Sequence, residues 1–372
     1  MANQSSHADG VAMSGGGVTG SVYSLATIGA KDAIDAATPL VLQALDQMDL
    51  SQDTRPFTMS DMGCADGGTS LDMVSTTIQA VRARAPSRPI QVVYADQPGN
   101  DYNVLFNIVH GSTDFNSYID RVENLFVCAS ATSFYRQIVP ANTLDLGFSA
   151  TAMHWLSKKP TNISNHVHAV GAGGKELEAF IEQGRRDWET ILLHRAAELV
   201  SGGRLVLINF CKDELGRYLG NTGGANMFDT FNQIWRSFLD QGIITRDEYV
   251  NMTLPQYYNS KEEFSAPFLD ESSAVYQAGL RLEHIETRVV ACPFATDFNN
   301  HGDADRFATS YIPTIRSWNE SIYFSGLSTE RPVEERREII ERYYDTYCQM
   351  VRENPKGHGM DYVHAYMVIK KV

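Results

Sequence analysis

The chain has 372 residues, a formal net charge of −14, 43% hydrophobic residues and 20% charged residues. Such a chain is long enough to bury a sizeable core and too apolar for general disorder, and its charge repels nucleic acid and anionic membranes. No apolar run reaches the ~18 residues of a spanning helix, and the five scattered cysteines (Cys64, Cys128, Cys211, Cys292, Cys348) form no C-x-x-C pair, so they read as free thiols of a reducing cytoplasm. In chain order, the polar Met1–Gly10 has no h-region, which argues against secretion. Residues 13–30 are a Gly/Ser/Thr-rich leader, read as a flexible tail or a lid over a ligand, that runs into a helix reaching about Met48. From Phe57 to about Ile138 strands and helices alternate: FTMSDMG, LDMVSTTIQAVRARA, IQVVYAD, a helix near Asn103–Val109, then NLFVCAS. Leu144–Ser149 is a short apolar strand. Residues 175–200 place Leu177, Phe180, Ile181, Trp188, Leu192, Ala196 and Leu199 near helical spacing, and Gly202-Gly203 stops that helix before the buried strand RLVLINF. Residues 216–290 break the alternation, with helices over Asn226–Leu239 and Arg246–Met252 and a turn at Pro255–Ser260. Residues 303–353 are largely helical, Glu330–Arg342 being a solvated face, and the apolar Tyr362–Ile369 returns to the sheet. The pattern predicts an α/β fold: a sheet with helices on both faces and a mainly helical cap.

The stretch Asp61-Met62-Gly63-Cys64-Ala65-Asp66-Gly67-Gly68 reads as a buried strand turning into a helix, spaced D-x-G-x-x-x-G. Glycines let backbone approach a ligand, and a helix start favours a carboxylate or phosphate. The G-x-G-x-x-G dinucleotide fingerprint is absent. An acidic residue opening the turn suits an ammonium group, which S-adenosylmethionine carries; an ordinary strand–helix turn has the same spacing. Asp96 ends the second strand, where a carboxylate either binds ribose hydroxyls or caps a helix. Ser133 and Phe134 follow the third strand and either meet an adenine or serve as core and turn. His154-Trp155 lies past the fourth strand; the indole N–H needs an acceptor, either a substrate carboxylate or carbonyl or a partner in the core. His166-x-His168 has no obvious third ligand, so no metal is expected. Cys64 reads as a packing residue rather than a nucleophile.

Taken together, these motifs resemble the SABATH family of S-adenosylmethionine-dependent carboxyl and N-methyltransferases. The family's M-x-G-G…S-Y leader resembles Met13–Gly17 with Ser21-Val22-Tyr23, D-L-G-C-S-S-G-P-N resembles Asp61–Thr69, and N-D-L-P-G-N-D-F-N resembles Ala95–Asn103. S-F-Y resembles Ser133–Tyr135, S-S-Y-S-L-x-W-L-S resembles Ser149–Ser157, and P-G-G-R-M-V-L resembles Ser201–Leu207. I-P-Q-Y-x-P-S resembles Leu254–Ser260, and G-S-F-x-I-x-x-I-E resembles Gly279–Glu286. The resemblance implies a Rossmann-like class I methyltransferase sheet and a homodimer that methylates a small-molecule acceptor. It divides the chain into a leader (1–30), a donor-binding core (31–215), a cap forming the acceptor pocket (216–330) and a returning helix and strand (331–372). Carried across, Tyr23, Asp61, Gly63, Cys64, Asp96, Gln97, Ser133, Phe134 and Ser149 line the donor site. Tyr23, His154, Trp155, Met227 and Phe228 line the acceptor site; Trp155 orients a carboxylate, and His154 either assists it or acts as a general base toward a ring nitrogen or hydroxyl. Ala30 stands where many carboxylate-binding members carry a glutamine, and Ala26, Thr27, Thr69 and Thr151 also depart from the family motifs, so the acceptor is expected to differ from the familiar plant substrates.

Overall fold

The computed structural model describes residues 23–50 and 55–372. Met13–Val22 of the expected leader therefore lie outside the described residues, and Tyr23 is the first position whose surroundings are known. Two helices come first, α1 (Tyr23–Ala26) and α2 (Ile28–Asp46). The alternating segment follows: β1 (Phe57–Met62), α3 (Leu71–Arg84), β2 (Ile90–Asp96), α4 (Tyr102–Val109), β3 (Leu125–Ala131), β4 (Leu144–Ala150), α5 (Gly174–Glu198) and β5 (Leu199–Phe210). Four helices come next, α6 (Met227–Asp240), α7 (Arg246–Asn251), α8 (Lys261–Leu269) and α9 (Ala274–Gln277), before β6 (Leu280–Val290). The chain continues through α10 (Pro293–His301), α11 (Ala304–Gly326), α12 (Val333–Glu353) and β7 (Tyr362–Lys371).

The strands form one seven-stranded sheet in the order β3-β2-β1-β4-β5-β7-β6. β1 to β5 pair in parallel, and β7 is antiparallel to both β5 and β6. Side chains alternate across the pleat, so each strand feeds two cores. Phe57, Met59, Val206 and Ile208 pack with α2, α3 and α4 on one face. Leu205, Leu207 and Met367 pack with Trp188 and Ile191 of α5 and with Phe264 of α8 on the other. The expected sheet covered on both faces is what the structure has.

The cap is a third core, rich in rings. Phe231 and Trp235 of α6 meet Tyr323 of α11 and Tyr343 of α12; Trp235 sits edge-on to Tyr323 with centroids 5.1 Å apart, and the Tyr323 and Tyr343 hydroxyls are 2.7 Å apart. This packing crosses the boundaries drawn from sequence. β6, placed within 216–330, joins the sheet edge, whereas α12, placed after 330, packs on α11 and α6. The reason is amphipathicity: α12 buries Ile339, Ile340, Tyr343, Tyr344 and Tyr347 on one side while its charges face outward.

One buried charge cluster holds the loop after β3. Arg195, with no exposed surface, donates to the carbonyls of Phe134 (3.1 Å) and Arg136 (2.7 Å) and to both carboxylate oxygens of Glu198 (2.6 Å each). Glu198 also accepts the Ile138 backbone N–H at 2.6 Å. Removing one partner strands the other charge in the core, so Arg195→Met is expected to cost about 3–5 kcal/mol. The Arg195→Met/Glu198→Leu double variant is expected to lose less than the single one. Urea unfolding of the three proteins checks the order.

Candidate active site

Between Met62 and Leu71 the chain must leave β1 and start α3. It does so with Gly63 at φ +79°, Ala65 at +49° and Gly67 at +74°. A Cβ at Gly63 would fall 2.3 Å from the Cβ of Ala152, so only glycine lets this turn press against the loop after β4. The parallel register pairs Met62 with Ala95, which brings Asp96 level with the turn. Asp96 Oδ2 accepts the Ala65 N–H and Oδ1 the Gln97 N–H, both at 2.7 Å, while burial raises its pKa. Asp61 is buried on β1, and its Oδ2 accepts the Ser70 hydroxyl at 2.5 Å. Burial pushes its pKa up, the Ser70 bond opposes this, and the charge on Asp96 adds to it, leaving the carboxyl at about 7. No cation figures among these influences. Two neighbouring acids short of positive charge fit a ligand that carries one.

Of the remaining donor-side candidates, Cys64 and Ser149 adjoin this turn, and Ser133 and Phe134 lie in the loop after β3. Cys64 is buried and its thiol is pushed well up by burial, then by Asp96 and Asp61, so it stays protonated and packs rather than attacks. Ser149 donates to the Met62 carbonyl at 2.7 Å, tying the tips of β4 and β1 together. Ser133 Oγ accepts the Tyr135 N–H at 3.3 Å, and the Phe134 ring lies 4.9 Å from the Tyr135 ring. Tyr135 in turn donates its hydroxyl to the Trp155 carbonyl at 2.6 Å, joining the loops after β3 and β4.

Trp155 is held by a short strand-like pairing between core and cap. The Leu156 N–H donates to the Pro255 carbonyl (2.8 Å), the Tyr257 N–H to the His154 carbonyl (3.1 Å), and Trp155 faces Gln256 across the bridge. Beside it lies a chamber walled by Tyr23, His154, Trp155, Gln256, Trp318 and Tyr362, with Ala30 also in its lining. Its free volume is about 40 Å³, room for roughly three waters, so a ring-sized guest enters only if a wall yields. His154 is edge-on to Phe210 at 4.8 Å, and burial lowers its pKa to about 3. The ring is therefore neutral near pH 7, and with so low a pKa it is a poor proton acceptor. The Tyr23 phenol is held protonated by burial and by the charges of Asp66 and Asp96, and that of Tyr362 chiefly by burial.

Met227 and Phe228 are not among the residues facing this chamber; they stand behind it, fully buried, with Phe228 stacked on His168 at 4.0 Å. Gln256, Trp318 and Tyr362 were not singled out from sequence as site residues. Of these, only Gln256 carried a signal, as part of the Leu254–Ser260 motif. His166 is engaged by Asp229 Oδ1 (3.1 Å) and the His168 carbonyl (3.0 Å). Among the described residues no three His, Cys, Asp or Glu side chains are grouped to hold a metal ion.

A family model described as SAM dependent carboxyl methyltransferase matches residues 9–372. The chain belongs to that family. It is 26% identical to gibberellic acid methyltransferase 2 of Arabidopsis thaliana over 259 residues, covering 63% of this chain and 65% of the relative. It is 28% identical to salicylate carboxymethyltransferase of Clarkia breweri over 243 residues, covering 63% of this chain and 64% of the relative. These matches span just under two thirds of each relative's length. The fold is that of a loganic acid methyltransferase solved with S-adenosylhomocysteine, at a TM-score of 0.74 and 22% identity over 94% of this chain and 96% of that one. The motif resemblance to SABATH enzymes and the Rossmann-like class I sheet both stand.

In a family that depends on S-adenosylmethionine, the acid-rich turn with Asp61, Asp96 and Gln97 has the chemistry to hold the donor. Because Asp61 titrates near 7 when folded and near 3.8 when unfolded, the folded state holds an extra proton between those values. Asp61 therefore withdraws stability as pH rises through that window. A cationic ligand binds the ionised form, so S-adenosylhomocysteine affinity is expected to rise by up to about tenfold per pH unit below 7 and to level off above it. Asp61→Asn should flatten the profile and weaken binding by roughly tenfold or more. Titration calorimetry from pH 5.5 to 8.5 reads both effects.

Proposed function

We propose that this chain transfers a methyl group from S-adenosylmethionine to the carboxylate of a small, mostly apolar or aromatic acid, giving a methyl ester. The observation that carries this reading is that the chamber offers hydrogen-bond donors but no base. Its imidazole, His154, has a pKa of about 3, both phenols stay protonated, and among the described residues no lysine or arginine is in the lining. A hydroxyl or ring N–H acceptor would need a proton removed at the site. A carboxylate arrives already ionised at neutral pH and needs only to be held and desolvated.

The bound donor supplies a sulfonium-activated methyl and leaves as S-adenosylhomocysteine, with the S–C electron pair going to sulfur. What the protein contributes is placement. Asp61 and Asp96 answer the donor's positive charge and ribose. Trp155, pinned through its backbone by Leu156–Pro255 and Tyr135, presents its indole N–H to one carboxylate oxygen. The Gln256 amide, opposite Trp155 in the bridge, is the second neutral donor at hand. Neutral donors orient the carboxylate without the strong charge pairing an arginine would impose, so its oxygen stays nucleophilic. Ala30, small and buried, offers no hydrogen bond to an acid and leaves that duty to other walls.

Wild-type protein incubated with methyl-labelled donor and a panel of acids is expected to give label that mild base releases as methanol. Base-stable label would mean a nitrogen or hydroxyl acceptor. Trp155→Ala is expected to cut kcat/KM on the acid by about a hundredfold while S-adenosylhomocysteine affinity stays within about twofold. Equal loss of both would make the tryptophan structural.

A further inference from the structure

The mechanism above leaves unused the buried acid of the glycine turn itself. Asp66 lies in the glycine turn between Asp61 and α3 and is 5% exposed. Its carboxylate takes both polar hydrogens of one residue on α1. The Ser24 N–H donates to Oδ2 at 2.8 Å, and the Ser24 hydroxyl donates to Oδ1, which also receives the Gly68 N–H at 3.1 Å. Ser24 and Asp66 are 42 positions apart, so this is a tertiary contact rather than a local turn. Space confirms how close it is: a Cβ on Gly68 would sit 2.4 Å from Ser24 Oγ and 2.8 Å from its Cβ. The next residue back is Tyr23, which lines the acceptor chamber and feels the charges of both Asp66 and Asp96. The same short helix packs on α11 of the cap. Tyr23 thus stands where the donor-side acids, the chamber and the cap meet.

We infer that the Ser24–Asp66 clasp fastens α1 over the junction of the donor and acceptor sites, making Asp66 a positioning residue that acts through Tyr23 and not a ligand of the donor. α1 has four residues, too few to be helical by its own propensity, so its place depends on tertiary contacts. Charge-assisted hydrogen bonds to a buried carboxylate are the strongest of those recorded for it. Fastening this helix also fastens the wall that a ring-sized acceptor has to pass or press against. The clasp thereby links the turn that holds the donor to the chamber that takes the acid.

The test compares full-length wild type, Ser24→Ala, Asp66→Ala and Asp66→Asn by chymotrypsin cleavage after Tyr23, read by mass spectrometry. It adds S-adenosylhomocysteine titration and steady-state kinetics on an acid acceptor. Ser24→Ala and Asp66→Ala are expected to speed that cleavage about fivefold and raise the acceptor KM about tenfold, with donor-product Kd within twofold of wild type. Asp66→Asn, which keeps an acceptor oxygen, should fall between them and wild type. Unchanged cleavage and KM in both alanine variants would overturn the clasp. A tenfold loss of donor-product affinity in Asp66→Ala but not Ser24→Ala would also overturn it, by making Asp66 a donor ligand. Should Asp66→Ala fail to fold, Ser24→Ala decides alone. The kinetic arm rests on the proposed reaction; a wild type that esterifies no acid sinks that reaction, and the cleavage comparison still decides the clasp.

Discussion

β1 is hydrogen-bonded on both sides, to β2 and to β4, and the position of every functional group in the core follows from that shared register. Pairing Met62 with Ala95 sets Asp96 at the height of the glycine turn, and pairing Asp61 with Phe148 sets the β4 loop beside it. A slip of one residue would invert the pleat and send Asp61 to the opposite face. Parallel strands whose order reverses at β1 leave a crevice at their carboxyl ends, and chains of this type bind ligands there. The acids at that crevice are costly. Asp61 is buried next to another carboxylate, and only the Ser70 hydroxyl offsets that cost among the influences on it. Folding tolerates the cost because the sheet on either side is fully paired.

The two halves of the site differ in electrostatic character. The donor side is acidic; the acceptor side is built from rings, amides and hydroxyls with no formal charge near neutral pH. The proposed reaction unites an anion with a cation to form neutral products, so charge is lost as it proceeds. Surroundings that solvate charge poorly therefore penalise the separated reactants more than the transition state. A chamber of neutral walls suits that change, and in the proposed reaction Gln256 and Trp155 would supply direction without supplying charge.

The part of this arrangement legible in sequence is the part written in short-range pattern. The alternation from Phe57 to Phe210 is regular because β1, β2, β4 and β5 are inner strands, largely buried on both faces, and the helices between them each carry one apolar stripe. β6 lies in a stretch that breaks the alternation, where only the family motif over Gly279–Glu286 points to a strand. As the edge strand it alternates Leu280, Leu282 and Ile285 with Arg281, Glu283, Glu286 and Arg288, a mixed pattern that a solvated loop also shows. The charges of α12 masked its buried tyrosines in the same way, so it was assigned away from the cap that it completes. Tyr23, Asp61, Asp96 and Trp155 are legible as candidates because each sits in a local motif, the last three at or just past strand tips and Tyr23 at the start of α1. The role of Gln256 depends on a backbone bridge to a residue 101 positions earlier, and the Ser24–Asp66 contact also joins distant segments. No periodicity within either segment announces such pairings.

The placement of β7 bears on how this protein is made. β7 follows the whole cap in chain order, yet it lies inside the sheet, between β5 and β6. Until residues 362–371 have emerged from the ribosome, one flank of β5 and the inner flank of β6 have no hydrogen-bonding neighbour among the described strands. The nascent chain must carry those bare, apolar strand edges through the synthesis of α10, α11 and α12. Such edges attract other chains. A ribosome that stalls within α12 would release a polypeptide with its parallel core formed and its sheet open to the wrong partner.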